Sequence, residues 1–214
     1  MKRNSELRDR AYQALTGNWG MSALITLVFF IIYNAVGSAR FVSETFSVTS
    51  VSTLLVIALI PMLYAYNAIF LGCIRNQKID FGQLFDGFTN QYFRYLGTLL
   101  LKNVYIFLWT LLLIVPGIIK SLSYAMTVFI LKDTNLSFDE AIVRSMDMME
   151  GYKMKLFLMF LSFIGWAILC CLTLGIGFLW LYPYVVASIA AFYEDVRADY
   201  EARTGAASTE NVEA

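Results

Sequence analysis

Residues 137–193 read SFDEAIVRSMDMMEGYKMKLFLMFLSFIGWAILCCLTLGIGFLWLYPYVVASIAAFY. Ser137 and Glu140 have capping-box spacing, in which two side chains satisfy orphan amides at the start of a helix. Phe138, Ala141, Ile142, Ser145, Met146 and Met149 then share one helical face, with Asp139, Arg144 and Asp147 on the other. Gly151 ends that helix, and Lys153 and Lys155 mark a basic turn. Two apolar runs follow, joined by the tight turn Thr173-Leu-Gly-Ile-Gly177. Such runs belong in a bilayer, whose hydrocarbon core of roughly 30 Å takes about 20 apolar residues to cross.

The rest of the chain repeats this plan more loosely. Residues 4–16 offer Asn4 as a cap and place Leu7, Ala11, Ala14 and Leu15 on one face. Gly17 and the interfacial Trp19 lead into a first apolar run, 19–36. A polar loop over 37–50 precedes the second run, 51–71, which Pro61 interrupts. Asp80 caps a second amphipathic piece with Phe81, Leu84, Phe85 and Phe88 on one face and Gly87 near its end. The third and fourth runs, 96–115 and 117–131, meet at Pro116-Gly117; the fifth and sixth are 155–172 and 176–193, the last interrupted at Pro183. The pattern predicts an all-α integral membrane protein over 1–203. Its six transmembrane helices form three hairpins, each preceded by a cytoplasmic amphipathic interfacial helix, and a disordered tail occupies 204–214. The fourth run is short for a crossing, so a re-entrant path competes with a full span.

Composition agrees. Of 214 residues, 59% are apolar and 15% charged, against about 45–50% and 25% in soluble domains, and mean hydropathy is +0.64. Formal net charge is zero, which gives no footprint for nucleic acid. The absence of histidine removes the commonest general base and metal ligand. Cys73, Cys170 and Cys171 have neither metal nor disulfide spacing and read as packing residues. With both termini inside, all but Arg40 and Lys120 of the 16 lysines and arginines fall on the cytoplasmic side, as the positive-inside rule requires.

IVPGIIK at 114–120, the D-x-x-L-S-x-x-E-A stretch from Asp133 to Ala141, M-x-G-x-K at 149–153, LFLMFLSFIGW at 156–166 and LTLGIGFLWLYPY at 172–184 resemble one family. It is the uncharacterised bacterial integral-membrane family known as domain of unknown function 975. The likeness covers nearly the whole chain, including L-x-G-N-W at 15–19. The family often has histidine where Tyr152 stands, so no role carries over there. It is distantly similar to the membrane domain attached to some glycerophosphodiester phosphodiesterases. Both resemblances imply a bacterial plasma-membrane location, and neither implies an activity.

Five carboxylates cluster in sequence, Asp133, Asp139, Glu140, Asp147 and Glu150, as a metal-assisted lipid-headgroup hydrolase would require. Capping and a solvated helix face account for them without chemistry. Lys102 and Lys120 are the ionisable groups within the runs, and no acid lies mid-membrane, which argues against a cation-coupled carrier. Tyr64, Tyr66, Asn67, Tyr182 and Tyr184 are candidates for a polar groove serving a small-solute or lipid transporter. Phe138, Ile142, Met146 and Met149 are candidates for a partner-binding face, and Pro61, Pro116, Gly117, Gly151 and Pro183 for turns or kinks. The leading expectation is a non-catalytic scaffold, assembly or regulatory factor at the cytoplasmic leaflet, without cofactor or metal. Its partners are the bilayer and a second membrane or cytoplasmic protein. Transport is the alternative, and hydrolysis stands behind it.

Overall fold

The computed structural model describes residues 2–42, 53–88 and 91–213, apart from the side chains of 37–42 and 205–213. Every regular element among them is helical. In chain order these are α1 (Asn4–Leu15), α2 (Trp19–Val42), a short piece at 53–58, α3 (Ile60–Ile74), a 3₁₀ segment (Phe81–Phe88), α4 (Tyr92–Leu112) and α5 (Ile114–Ser123). Then come α6 (Thr127–Asp133), α7 (Phe138–Met148), α8 (Lys153–Leu172) and α9 (Phe178–Glu213).

Five stretches among the described residues are long and apolar enough to cross a membrane: Trp19–Val36, Thr53–Ile74, Tyr92–Leu112, Ile114–Asp133 and Lys153–Leu172. The sixth expected span, inside α9, is not among them. Tyr182, Pro183 and Tyr184 dilute it, and Glu194 and Asp195 follow closely. The fourth stretch has 20 residues; it starts before its proline rather than after it, and a turn at 124–126 divides it into α5 and α6.

α3 is the hub. Met62, Tyr66, Phe70 and Leu71 are fully buried in it, and it packs against α9, α4, α6 and the 3₁₀ segment. On α9 the small residues Ala187, Ala190 and Ala191 are buried, which permits close helix approach. α1 lies along α9 with Leu7, Ala11 and Leu15 wholly covered, an i, i+4, i+8 stripe.

Several local expectations shift. The cap of α1 is Arg3, whose amide donates to Glu6 Oε2 at 3.2 Å; Asn4 Nδ2 instead donates to the Lys155 carbonyl at 3.0 Å. The second amphipathic piece is 3₁₀, and α2 runs through 37–42, where a loop was expected; residues 43–50 of that loop lie outside the described residues. The break between the third and fourth runs falls at Leu113, in extended conformation, not at Pro116-Gly117. Pro116 occupies the first turn of α5, where its missing N–H costs nothing. Likewise the interruption near Pro61 falls at Leu59, with Pro61 in the first turn of α3. Helix α9 continues through Pro183. Gly151 does end its helix, at φ +81°, as does Gly17 at +87°. The tail expected to be disordered from 204 continues α9 as far as Glu213.

Candidate functional site

Sequence placed Asp133 on a solvated face, and the structure corrects this. Its side chain is 8% exposed and accepts four hydrogen bonds. Arg75, one residue beyond α3, donates through both terminal nitrogens at 2.7 and 2.6 Å. Arg197 donates at 2.7 Å and the Tyr193 hydroxyl at 2.8 Å. Arg75 also donates to Glu194 at 2.7 Å. The hydrogen bonds to Asp133 hold the Arg75 guanidinium charged even above its usual range, against the cost of burial. Arg197 donates in turn to Glu201 at 2.7 Å, so two cations and three anions form one network where α3, α6 and α9 converge.

The other carboxylates do not join it. Glu140 accepts the Ser137 amide at 2.8 Å, the helix-capping bond expected of it, and the Ser137 side chain, aided by that amide, holds its carboxyl below the usual range. Asp139, Glu140 and Asp147 border a shallow depression with Arg144 and Tyr200. Among the described residues no three His, Cys, Asp or Glu side chains are grouped to hold a metal ion.

The five groove candidates do not line one groove: Tyr66 and Tyr182 meet, and the other three part from them. Tyr66 is fully buried and shares a 2.7 Å hydrogen bond with Thr26 Oγ1; its ring meets Tyr182 at 5.2 Å and Phe29 at 4.9 Å. Asn67 Nδ2 is turned onto its own helix, donating to the Leu63 carbonyl at 2.7 Å. Tyr64 stacks on Tyr95 at 3.7 Å and lines a cleft of about 240 Å³ with Gln77, Gln83, Asp86 and Lys132. Tyr184 faces a different cleft.

The proposed partner face of α7 is closed by the protein itself. Ile142 and Met149 have no exposed surface. Ser145 Oγ donates to the Ser123 carbonyl at 2.8 Å, and Met146 Sδ lies 3.9 Å from Lys120 Nζ. Phe138, 43% exposed, packs its ring edge over Gly97. α7 therefore runs up the α4–α5 hairpin instead of presenting that face outward, and it covers Lys120, which also sits 4.9 Å over the Trp109 ring.

The cleft that Tyr184 faces was not read from sequence. It has a volume of about 500 Å³ and lies between α1, α2, α8 and α9. Tyr12, Trp19, Trp166, Trp180 and Tyr184 wall it, with Leu181, Cys170 and Gly177 behind and Asp9 at its edge. Tyr12 and Trp19 stand 5.8 Å apart, and Trp19 and Tyr184 6.5 Å. Three of the chain's four tryptophans meet here, although more than a hundred residues separate Trp19 from Trp166. That convergence is a property of the fold; the signals in the sequence are Trp19 as an interfacial anchor and Tyr184 as a groove candidate.

No curated protein and no solved structure matches this chain, so the likeness to the membrane domain of glycerophosphodiester phosphodiesterases finds no counterpart. A family model does match, over residues 1–128 and 111–200, and the chain accordingly belongs to the family described as protein of unknown function (DUF975).

Proposed function

We propose that this chain is a non-enzymatic, multi-pass protein of the bacterial plasma membrane that holds a lipid with an ammonium headgroup. Six apolar runs enter the bilayer, and both chain ends lie on the cytoplasmic side. The observation that carries the reading is the aromatic cleft. Five aromatic rings line it, and the one charged residue in the lining, Asp9, is acidic. Aromatic faces attract an ammonium by about 0.5–2 kcal/mol each site, more when water is excluded. Tryptophan and tyrosine also favour the headgroup level of a membrane. A scaffold reading drew on the α7 face, which the protein's own helices occupy, and so it stands second.

The test is native mass spectrometry of protein ejected from vesicles containing equal phosphatidylethanolamine and phosphatidylglycerol. Phosphatidylethanolamine at fixed stoichiometry, lost in Trp19→Ala and reduced in Asp9→Asn, supports the reading. Equal retention of both lipids, or of neither, overturns it. A discrete co-ejected polypeptide returns the scaffold reading to first place.

A further inference from the structure

We propose that the two hairpins α4–α5 and α8–α9 turn back inside the hydrocarbon of the bilayer and do not cross it. This path through the bilayer does not depend on what the aromatic cleft holds.

The turn between α8 and α9 is built for an apolar medium. Between Lys155 and Glu194 there is no charged residue. In the turn Leu172 is 76% exposed, Leu174 94% and Ile176 60%. Leu174 also adopts φ +55°, the left-handed region that glycine and asparagine fill in aqueous turns. A bare leucine in that conformation gains nothing from water.

The backbone of the same turn supplies its own partners. The amides of Thr173 and Gly175 donate to the Cys170 carbonyl, that of Leu174 to Cys171, and that of Ile176 to Thr173. Gly177 N–H donates to Thr173 Oγ1 at 3.2 Å, and Phe178 and Leu179 donate to Gly175 and Ile176. Every backbone N–H from Thr173 to Leu181 thus has an acceptor inside the turn, which meets the donor half of the condition for irregular backbone to sit in lipid. The tip of α4–α5 is as apolar: Leu111 through Val115 are each more than 60% exposed, the Leu113 and Gly117 amides donate to the Trp109 and Leu113 carbonyls, and Pro116 removes one orphan amide from the start of α5.

Depth separates turning back from crossing. α1 carries Arg8, Asp9 and Arg10 and lies along α9. The Lys2 amide donates to Asp195 at one end, and Asp9 shares a cleft with Tyr184 near the other. From Tyr184 to Gly177 is about 10 Å of helix, one third of the roughly 30 Å hydrocarbon core. α7 flanks the other hairpin in the same way. Its Met146 touches Lys120, and from Trp109, over which Lys120 sits, to Leu113 is about 6 Å. Charged helices therefore accompany both hairpins to within a few turns of their tips. Such a hairpin enters and leaves on one face, so the lysines and arginines that flank it lie on the same side whether it crosses or not; only Lys120, inside the hairpin, changes place.

The experiment uses the full chain with Cys73, Cys170 and Cys171 replaced by alanine, carrying Leu174→Cys or Leu113→Cys, in sealed vesicles of phosphatidylethanolamine and phosphatidylglycerol. Each thiol is spin-labelled, and its collision rates with oxygen and with an aqueous nickel chelate are compared, with Arg203→Cys as the water-exposed reference. Both tips are expected to be oxygen-accessible and shielded from nickel, at least tenfold below the reference. Nickel access at either tip from the face opposite Arg203 overturns the proposal, because the hairpin then crosses. Nickel access from the face of Arg203 also overturns it, because the tip is then not in the bilayer.

Discussion

Asp133 shows how much one side chain can organise. It joins Arg75 and Arg197, 58 and 64 residues away in sequence, so no local pattern could have announced the cluster. Sequence reads the residue as one of five clustered carboxylates on a solvated face, whereas its side chain is 8% exposed. Removing one partner of a fully buried ion pair costs about 3–5 kcal/mol; with Arg75 28% and Arg197 36% exposed, solvent screening reduces this. We expect Asp133→Ala to lose about 2 kcal/mol and Tyr193→Phe about 1 kcal/mol, read from thermal unfolding in a fixed detergent. Additive losses in Asp133→Ala and Arg75→Gln combined would show that the two do not act as a unit. Glu140 makes a pH prediction of opposite legibility, since its cap was visible in Ser137 and Glu140 alone. Its folded carboxyl titrates below a free glutamate's, so its contribution is present above about pH 4.3 and fades as pH falls through the lowered value. The acid limb of the unfolding curve should therefore be shallower in Glu140→Gln. An unchanged limb would remove the cap from the account.

At the scale of elements, glycine and proline were legible as punctuation but not as to which residue breaks the chain. Pro116 was read as the end of a run, yet the helix preceding it stops at Leu113, and the proline begins the next. The physical reason is that a proline is compatible with a first helical turn as well as with a stop. Close approach was legible only in part. A Cβ at Gly87 would stand 2.2 Å from the Pro61 carbonyl oxygen, and one at Gly117 2.3 Å from Thr110 Oγ1, whereas at Gly165 it would meet nothing within 4 Å. Gly87→Ala and Gly117→Ala should each destabilise by about 1–3 kcal/mol, and Gly165→Ala should be neutral or slightly stabilising. The same unfolding assay checks all three, and equal behaviour would mean that these approaches do not set the packing. Met149 is a further test of the closed face of α7. Because it has no exposed surface, Met149→Asp should unfold the α7 contact and lower the yield of folded protein, instead of releasing a partner from an intact bundle.

For the whole molecule, the membrane class was plain from composition, while the path through the membrane was not. Apolar length and positive charge are blind to the difference between two crossings and one returning hairpin, since either leaves the flanking lysines and arginines on the same face. What distinguishes them is which polar helix lies beside which apolar one, a long-range fact: α1 against α9, and α7 against the α4–α5 hairpin. The parity of the path makes one prediction that both alternatives share. If the remaining runs, 19–36 and 51–71, cross once each, the two ends of the chain must lie together. Protease sites appended before Met1 and after Ala214 should both resist cleavage in intact spheroplasts and both be cut once the membrane is opened. Cleavage of one end alone in intact spheroplasts would make the number of crossings odd, and α2 or α3 would then have to be withdrawn from the bilayer. Of the two, α3 is the less expendable. It is the buried hub on which Tyr66, Phe70 and the Arg75–Asp133 tie depend, so an odd count would point to the path of α2.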